Sequence, residues 1–115
     1  MDQRLEKALE FSNYMTTLNN QRRLLHEKYL ENTVHYLNGG KFSVTLELIN
    51  FFQLLVNRKQ ETVVILDDNK TPIEIENVEE FLDEILHIYF ENTNEYHTRY
   101  NEIKVKRSVQ GLLDI

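Results

Sequence analysis

Apolar residues in the first third of the chain recur at steps of three, four and seven. Leu5, Ala8, Phe11, Met15, Leu18, Leu25, Tyr29 and Tyr36 thereby share one helical face. This spacing predicts a long helix over 2–37, with Arg22 interrupting its stripe. Asn38-Gly39-Gly40 stops it, because glycine takes the left-handed conformation that ends helices. A helix of about 36 residues is about 54 Å long. A domain of this size does not need that length, so part of the helix requires cover.

The pattern then changes period. Phe42, Val44, Leu46 and Leu48 alternate with polar residues, as in a strand, whereas Leu48, Phe51, Phe52, Leu55 and Val56 keep helical spacing. A short strand at 42–44, an N-cap at Thr45 and a helix over 46–58 satisfy both patterns. In "ETVVILDDNKTPIEIEN", the β-formers Val63 to Leu66 and the alternating Pro72 to Ile75 flank the turn residues Asp67 to Lys70. They predict a β-hairpin over 62–75, with Pro72 placing its strand at an edge. Asn77, with Glu80 three residues on, opens a second long helix over 78–107. Its stripe is Val78, Phe81, Leu82, Ile85, Tyr89, Tyr96, Tyr100 and Ile103. Residues 108–115 remain as a tail.

The expected fold is therefore α+β and mostly α, a single domain over 1–115. Two long antiparallel amphipathic helices flank a small head at 41–76 that holds a short strand, a helix and a β-hairpin. Two helices alone leave part of each wide stripe uncovered. This predicts self-association through Phe11, Met15, Leu18, Leu25, Tyr89, Tyr96 and Tyr100, giving a dimer or higher homo-oligomer.

Composition narrows the chemistry. The chain has 115 residues and no cysteine, which removes disulfides, thiolate metal sites and thiol nucleophiles and fits a cytoplasmic protein. The stretch MDQRLEKALEFSNYM carries frequent charge, so no signal peptide is expected, and no long apolar run predicts a membrane span. A net charge of −6 argues against nucleic acid as the main partner. The basic cluster Lys104, Lys106 and Arg107, with Arg22 and Arg23, still leaves phosphate contact open, although cations also suit a helix C-terminus.

Candidate chemistry is sparse. Glu84 and His87 have the Glu-x-x-His spacing of bundle metal sites, with Glu27 and Glu31 as further carboxylates, but His87 falls on the charged face. Asp67, Asn69 and Thr71 copy the first half of a calcium loop, whose sixth and twelfth positions are here Pro72 and Val78. Neither pattern is complete, so no metal and no cofactor is expected. No serine, threonine or histidine stands in a nucleophile context, and no catalysis is expected. From Pro72 to Thr98 the chain has eight acidic residues and no Lys or Arg, the pattern of a solvated helix face or an acidic docking surface.

The last six residues, QGLLDI, are unusually apolar for a chain end. Gln110, Leu112, Leu113 and Ile115 fit a loose Gln-x-x-Leu-x-(Leu/Ile/Phe) pattern. It resembles the peptides by which replication and late-transcription proteins hook a sliding DNA clamp, without their usual terminal aromatic. Such a peptide inserts apolar anchors into a preformed groove. The other reading packs the tail on the protein's own helices or on a second subunit. Gly111 supplies a hinge for either.

Two stretches, "DQRLEKALEFSNYM" and "VVILDDNKTPIEIENVEEFLDEI", resemble those of small uncharacterised proteins of T4-like phages of marine cyanobacteria. The resemblance implies expression in an infected host cytoplasm and brings no activity and no catalytic residues. The layout of long helix, small β insert and long helix is also similar to that of prefoldin subunits, with an additional helix in the insert. The function expected on these grounds is that of a non-enzymatic, phage-type accessory or assembly protein working through protein–protein contacts.

Overall fold

The computed structural model describes residues 2–115. It is a mostly helical α+β fold, in chain order α1 (Gln3–Asn32), β1 (Val34–Leu37), β2 (Gly40–Ser43), α2 (Leu46–Asn57), β3 (Val63–Leu66), β4 (Pro72–Ile75), α3 (Val78–Val105) and α4 (Val109–Leu113). The chain divides into two compact units, and both long helices contribute to each. One holds residues up to Tyr29 together with Asn94–Ile115, and the other is Leu30–Thr93.

In the first unit α1 and the end of α3 run antiparallel. The Tyr14 hydroxyl donates to the Lys106 carbonyl at 2.8 Å, Arg22 lies over Tyr100, and Tyr29 meets Tyr96 edge-on. Positions that rise along α1 thus meet positions that fall along α3. Leu18, Ile103 and Leu112 are buried together here, with Tyr14, Met15 and Leu25 packed around them.

The second unit has its own core. Phe42, Val44, Ile49, Phe52, Ile73, Ile75, Val78, Phe81, Leu82 and Ile85 are all buried in one cluster. Phe81 stacks on Phe52 with ring centroids 4.3 Å apart and meets Phe42 edge-on at 5.4 Å. It thereby joins α3 to α2 and to the first hairpin.

The first helix ends at Asn32, five residues before the expected stop at 37, and residues 34–37 form a strand. Asn38-Gly39 is the cause. Both residues have positive φ, 51° and 79°, the two-residue turn whose twist matches a β-hairpin. It pairs β1 with β2 antiparallel, Leu37 opposite Gly40 and Val34 opposite Ser43. The strand expected at 42–44 is therefore Gly40–Ser43 and has a partner. Gly40 is buried, and a Cβ there would lie 2.8 Å from Ile73 Cγ1. Only glycine fits where the two hairpins approach.

Other elements match the local sequence signals. Thr45 caps α2, its side chain accepting from the Leu48 N–H. Asn77 caps α3 by accepting from the Glu80 N–H at 3.0 Å. The hairpin β3–β4 has Ile65 opposite Ile73 and Leu66 opposite Pro72. Just beyond, the Asp67 N–H donates to the Thr71 carbonyl. Hydrogen-bonded and non-bonded pairs alternate along an antiparallel ladder, so Asp67, Ile65 and Val63 bond across it. Pro72 then falls at a non-bonded position, where its missing N–H costs nothing. The second long helix stops at Val105, short of 107. Residues 108–115 contain a helical turn in place of a free tail: Ser108 caps α4 by accepting from the Gly111 N–H, so Gly111 sits inside a helix and is not a hinge.

Candidate interaction surfaces

The predicted interface residues separate once they are placed in the fold. Leu18 is buried within its own unit, and Met15 and Leu25 pack against it. Tyr89 packs on the core of the second unit. Tyr96 touches the rings of His26, Tyr29 and Tyr100. Arg22, which breaks the apolar stripe in the sequence, lies with its guanidinium 5.5 Å from the centroid of Tyr100, a cation–π contact that fits a charge into an aromatic seam. Its Nε is buried without a hydrogen-bond partner among the described residues. Phe11 is different: it is 65% exposed.

Phe11 belongs to a larger uncovered surface. Every residue from Asp2 to Asn13 is exposed, because the contacts to α3 and its following turn begin at Tyr14. Ala8, Phe11, Met15, Leu18, Arg22, Leu25 and Tyr29 follow one another at alternating steps of three and four, a seam of the heptad kind. From Met15 onward this seam is packed within the chain. Ala8 and Phe11 continue it into solvent, flanked by Leu5 at 51% and Leu9 at 47% exposure.

The tail is divided. Leu112 is completely buried, and its carbonyl accepts from Gln21 Nε2. Gln110 Nε2 donates to Asp114 Oδ1 at 2.8 Å, within the turn. Leu113 and Ile115 are exposed. Three of the four motif residues are thus held in helical geometry, at Gln110, Leu112 and Leu113.

Two of the acidic and polar candidates, His87 and Glu27, have local partners. Glu84 and His87 are exposed on α3, and His87 Nε2 lies 3.2 Å from Glu91. Glu27 pairs with Arg23 on the surface of α1. Among the described residues, no group of three or more His, Cys, Asp or Glu is placed to hold a metal ion. None of the described helices is long and apolar enough to cross a membrane. In the basic cluster, the Arg107 guanidinium donates to the Lys104 carbonyl, closing the end of α3. A cavity of about 400 Å³ in the second unit is lined by Val56, Lys59, Gln60, Glu61, Glu76, Asn77, Val78 and Glu79. Its lining carries one basic and three acidic side chains.

Asp67, the first residue of the supposed calcium loop, is buried and works as a staple. Its Oδ1 accepts from the N–H groups of Asn69 and Thr71, both at 2.9 Å. Its Oδ2 accepts from the Lys41 N–H on β2 at 3.1 Å. Asp68 continues the link, donating its N–H to the Lys41 carbonyl and accepting from the Ser43 N–H and hydroxyl. The backbone N–H of Thr71, with those of Lys41 and Asn69, holds the Asp67 carboxyl below its ordinary value, against the opposing effect of burial. A carboxyl depressed in the folded state stabilises at pH above its unfolded value and loses that contribution as pH falls through the folded one. Asp67→Asn keeps an acceptor at Oδ1 but turns an NH2 toward the Lys41 N–H. Wild type should therefore melt above Asp67→Asn near neutral pH, and the gap should begin to narrow below about pH 4 and close as pH falls through the depressed folded value. Thermal melts of both proteins across pH measure this.

The units differ sharply in charge. Leu30–Thr93 has four basic and twelve acidic side chains, a net of −8, whereas the other unit has nine basic and seven acidic, a net of +2. Comparison with family models, curated proteins and solved structures finds no match to this chain.

Proposed function

We propose that the protein is a non-enzymatic accessory or assembly protein of the phage type, acting through protein–protein contact, with the first turns of α1 as its self-association surface. The uncovered continuation of the helical seam carries this reading. Leu5, Ala8, Leu9 and Phe11 form an apolar arc that none of the described residues covers. A second copy offers the same arc. Tyr89, Tyr96 and Tyr100 of α3 already pack within the chain and are half-buried, so they offer less free surface than this arc.

Light scattering on a sizing column tests the reading. Wild type should elute as a dimer or higher species at micromolar concentration, and Leu5→Glu with Phe11→Glu should shift it to monomer with unchanged helicity. A wild-type monomer at all concentrations would sink the proposal.

The exposure of Leu113 and Ile115 favours a second reading, in which the tail docks on a sliding clamp beside nucleic acid. It requires Leu112 to leave its buried position, or the clamp to accept a helical turn that shows only Leu113, Ile115 and Gln110.

A further inference from the structure

Both sheets have only two strands, so every strand has an outer edge, and the register fixes which backbone groups lie there. In β3 the hydrogen-bonded positions are Val63 and Ile65, so Val64 and Leu66 turn their N–H and C=O groups away from β4. The other strand of that hairpin obeys the same alternation: the outward Glu74 carbonyl accepts from the Asn38 side chain at 3.1 Å.

Sheet edges invite pairing unless they are blocked, and the edges here are treated unequally. Asp67 and Asp68 occupy the outer groups of Lys41 and Ser43 on β2. Pro72 and the Asn38 contact blunt β4. On β1, Tyr36 is exposed but Val34 is half-buried. Among the described residues the β3 edge has no guard. Val63-Val64-Ile65-Leu66 contains no charge and no proline, and among the described residues its only hydrogen-bonded neighbour strand is β4. Val64 and Leu66 are each 63% exposed.

Charge decides what fits. The unit carries a net −8, and Glu61 and Asp68 flank the strand while Glu74 and Glu76 lie on and beside its partner. A second β3 laid antiparallel would set Glu61 against Asp68 of the copy, like against like. We propose that the outer edge of β3 takes up an extended peptide strand of a partner protein, apolar at alternate positions and flanked by Lys or Arg. The strand would bond to the outward N–H and C=O groups of Val64 and Leu66, and its basic ends would meet the acidic surroundings.

Fluorescence anisotropy with the labelled peptide Lys-Lys-Val-Thr-Val-Thr-Val-Lys-Lys tests this, against a control with glutamate in place of every lysine. The basic peptide should bind at least about tenfold more tightly than the acidic one and weaken as salt rises from about 50 to about 300 mM. Val64→Lys, at an exposed site, and Val64→Pro, at a position that gives no N–H to β4, should each weaken binding by about tenfold or more with the fold retained by circular dichroism. The protein carrying Leu5→Glu and Phe11→Glu should bind the peptide as wild type does, which separates this edge from the α1 surface. Equal binding of the two peptides, or full binding by Val64→Pro, would overturn the proposal. So would self-association that Val64→Lys abolishes, because a second copy would then be the occupant.

Discussion

Phe81→Ala should destabilise the protein by about 3–5 kcal/mol, the usual range for emptying a large aromatic site in a packed core. Phe81 is 2% exposed. Its ring stacks on Phe52 of α2 and meets Phe42 of β2 and His35 of β1 edge-on. One side chain of α3 therefore holds α2 and both strands of the first hairpin, which share little sequence-local support. A loss of this size is a large part of the roughly 5–15 kcal/mol that stabilises an ordinary domain. Urea unfolding followed by circular dichroism measures it. Phe90→Ala supplies the contrast: Phe90 is 56% exposed on the same helix, and its loss should stay within about 0.5 kcal/mol. Equal effects of the two substitutions would mean that the aromatic cluster is not the core of this unit.

Leu112→Ala should cost about 2–5 kcal/mol. Its side chain is fully buried against Leu18 and Ile103, so truncation leaves a cavity between α1, α3 and α4. Leu113→Ala, one residue on and 60% exposed, should leave stability unchanged within about 0.5 kcal/mol. The pair also tests the clamp reading: Leu113→Ala should abolish clamp binding without unfolding anything. Deleting residues 108–115 is a poorer probe, because it removes Leu112 from the core together with the exposed anchors. If Leu112→Ala proved harmless, α4 would not be packed as described.

The sequence signals that proved reliable were local and redundant. The hairpin of β3 and β4 was legible because β-formers, turn residues and alternation agreed within one short stretch. The caps at Thr45 and Asn77 were legible for the same reason. The end of α1 was not, because Tyr36 lies seven residues after Tyr29 and so fits the helical stripe. Tyr36 is in fact 68% exposed on a strand. The turn chemistry of Asn38-Gly39 outweighs periodicity there, as the type I′ hairpin turn formed here takes positive φ at two successive residues. Read as a hairpin signal in place of a helix stop, it would have located β1 and β2. The contact surface was only partly legible for a different reason. A stripe of Met15, Leu18 and Leu25 looks the same whether its own chain or another copy covers it, and periodicity does not encode which. The unguarded edge of β3 needed the pairing of both sheets, which no single strand's sequence states.

Pro72 has a further consequence. A slip of β4 by one residue would bring it to a hydrogen-bonded position, where it has no N–H to give, and would turn Ile73 and Ile75 from the core toward water. Both penalties act on the same mistake. The proline is thus a reading-frame check for the hairpin, penalising misalignment while the strands are still searching for each other.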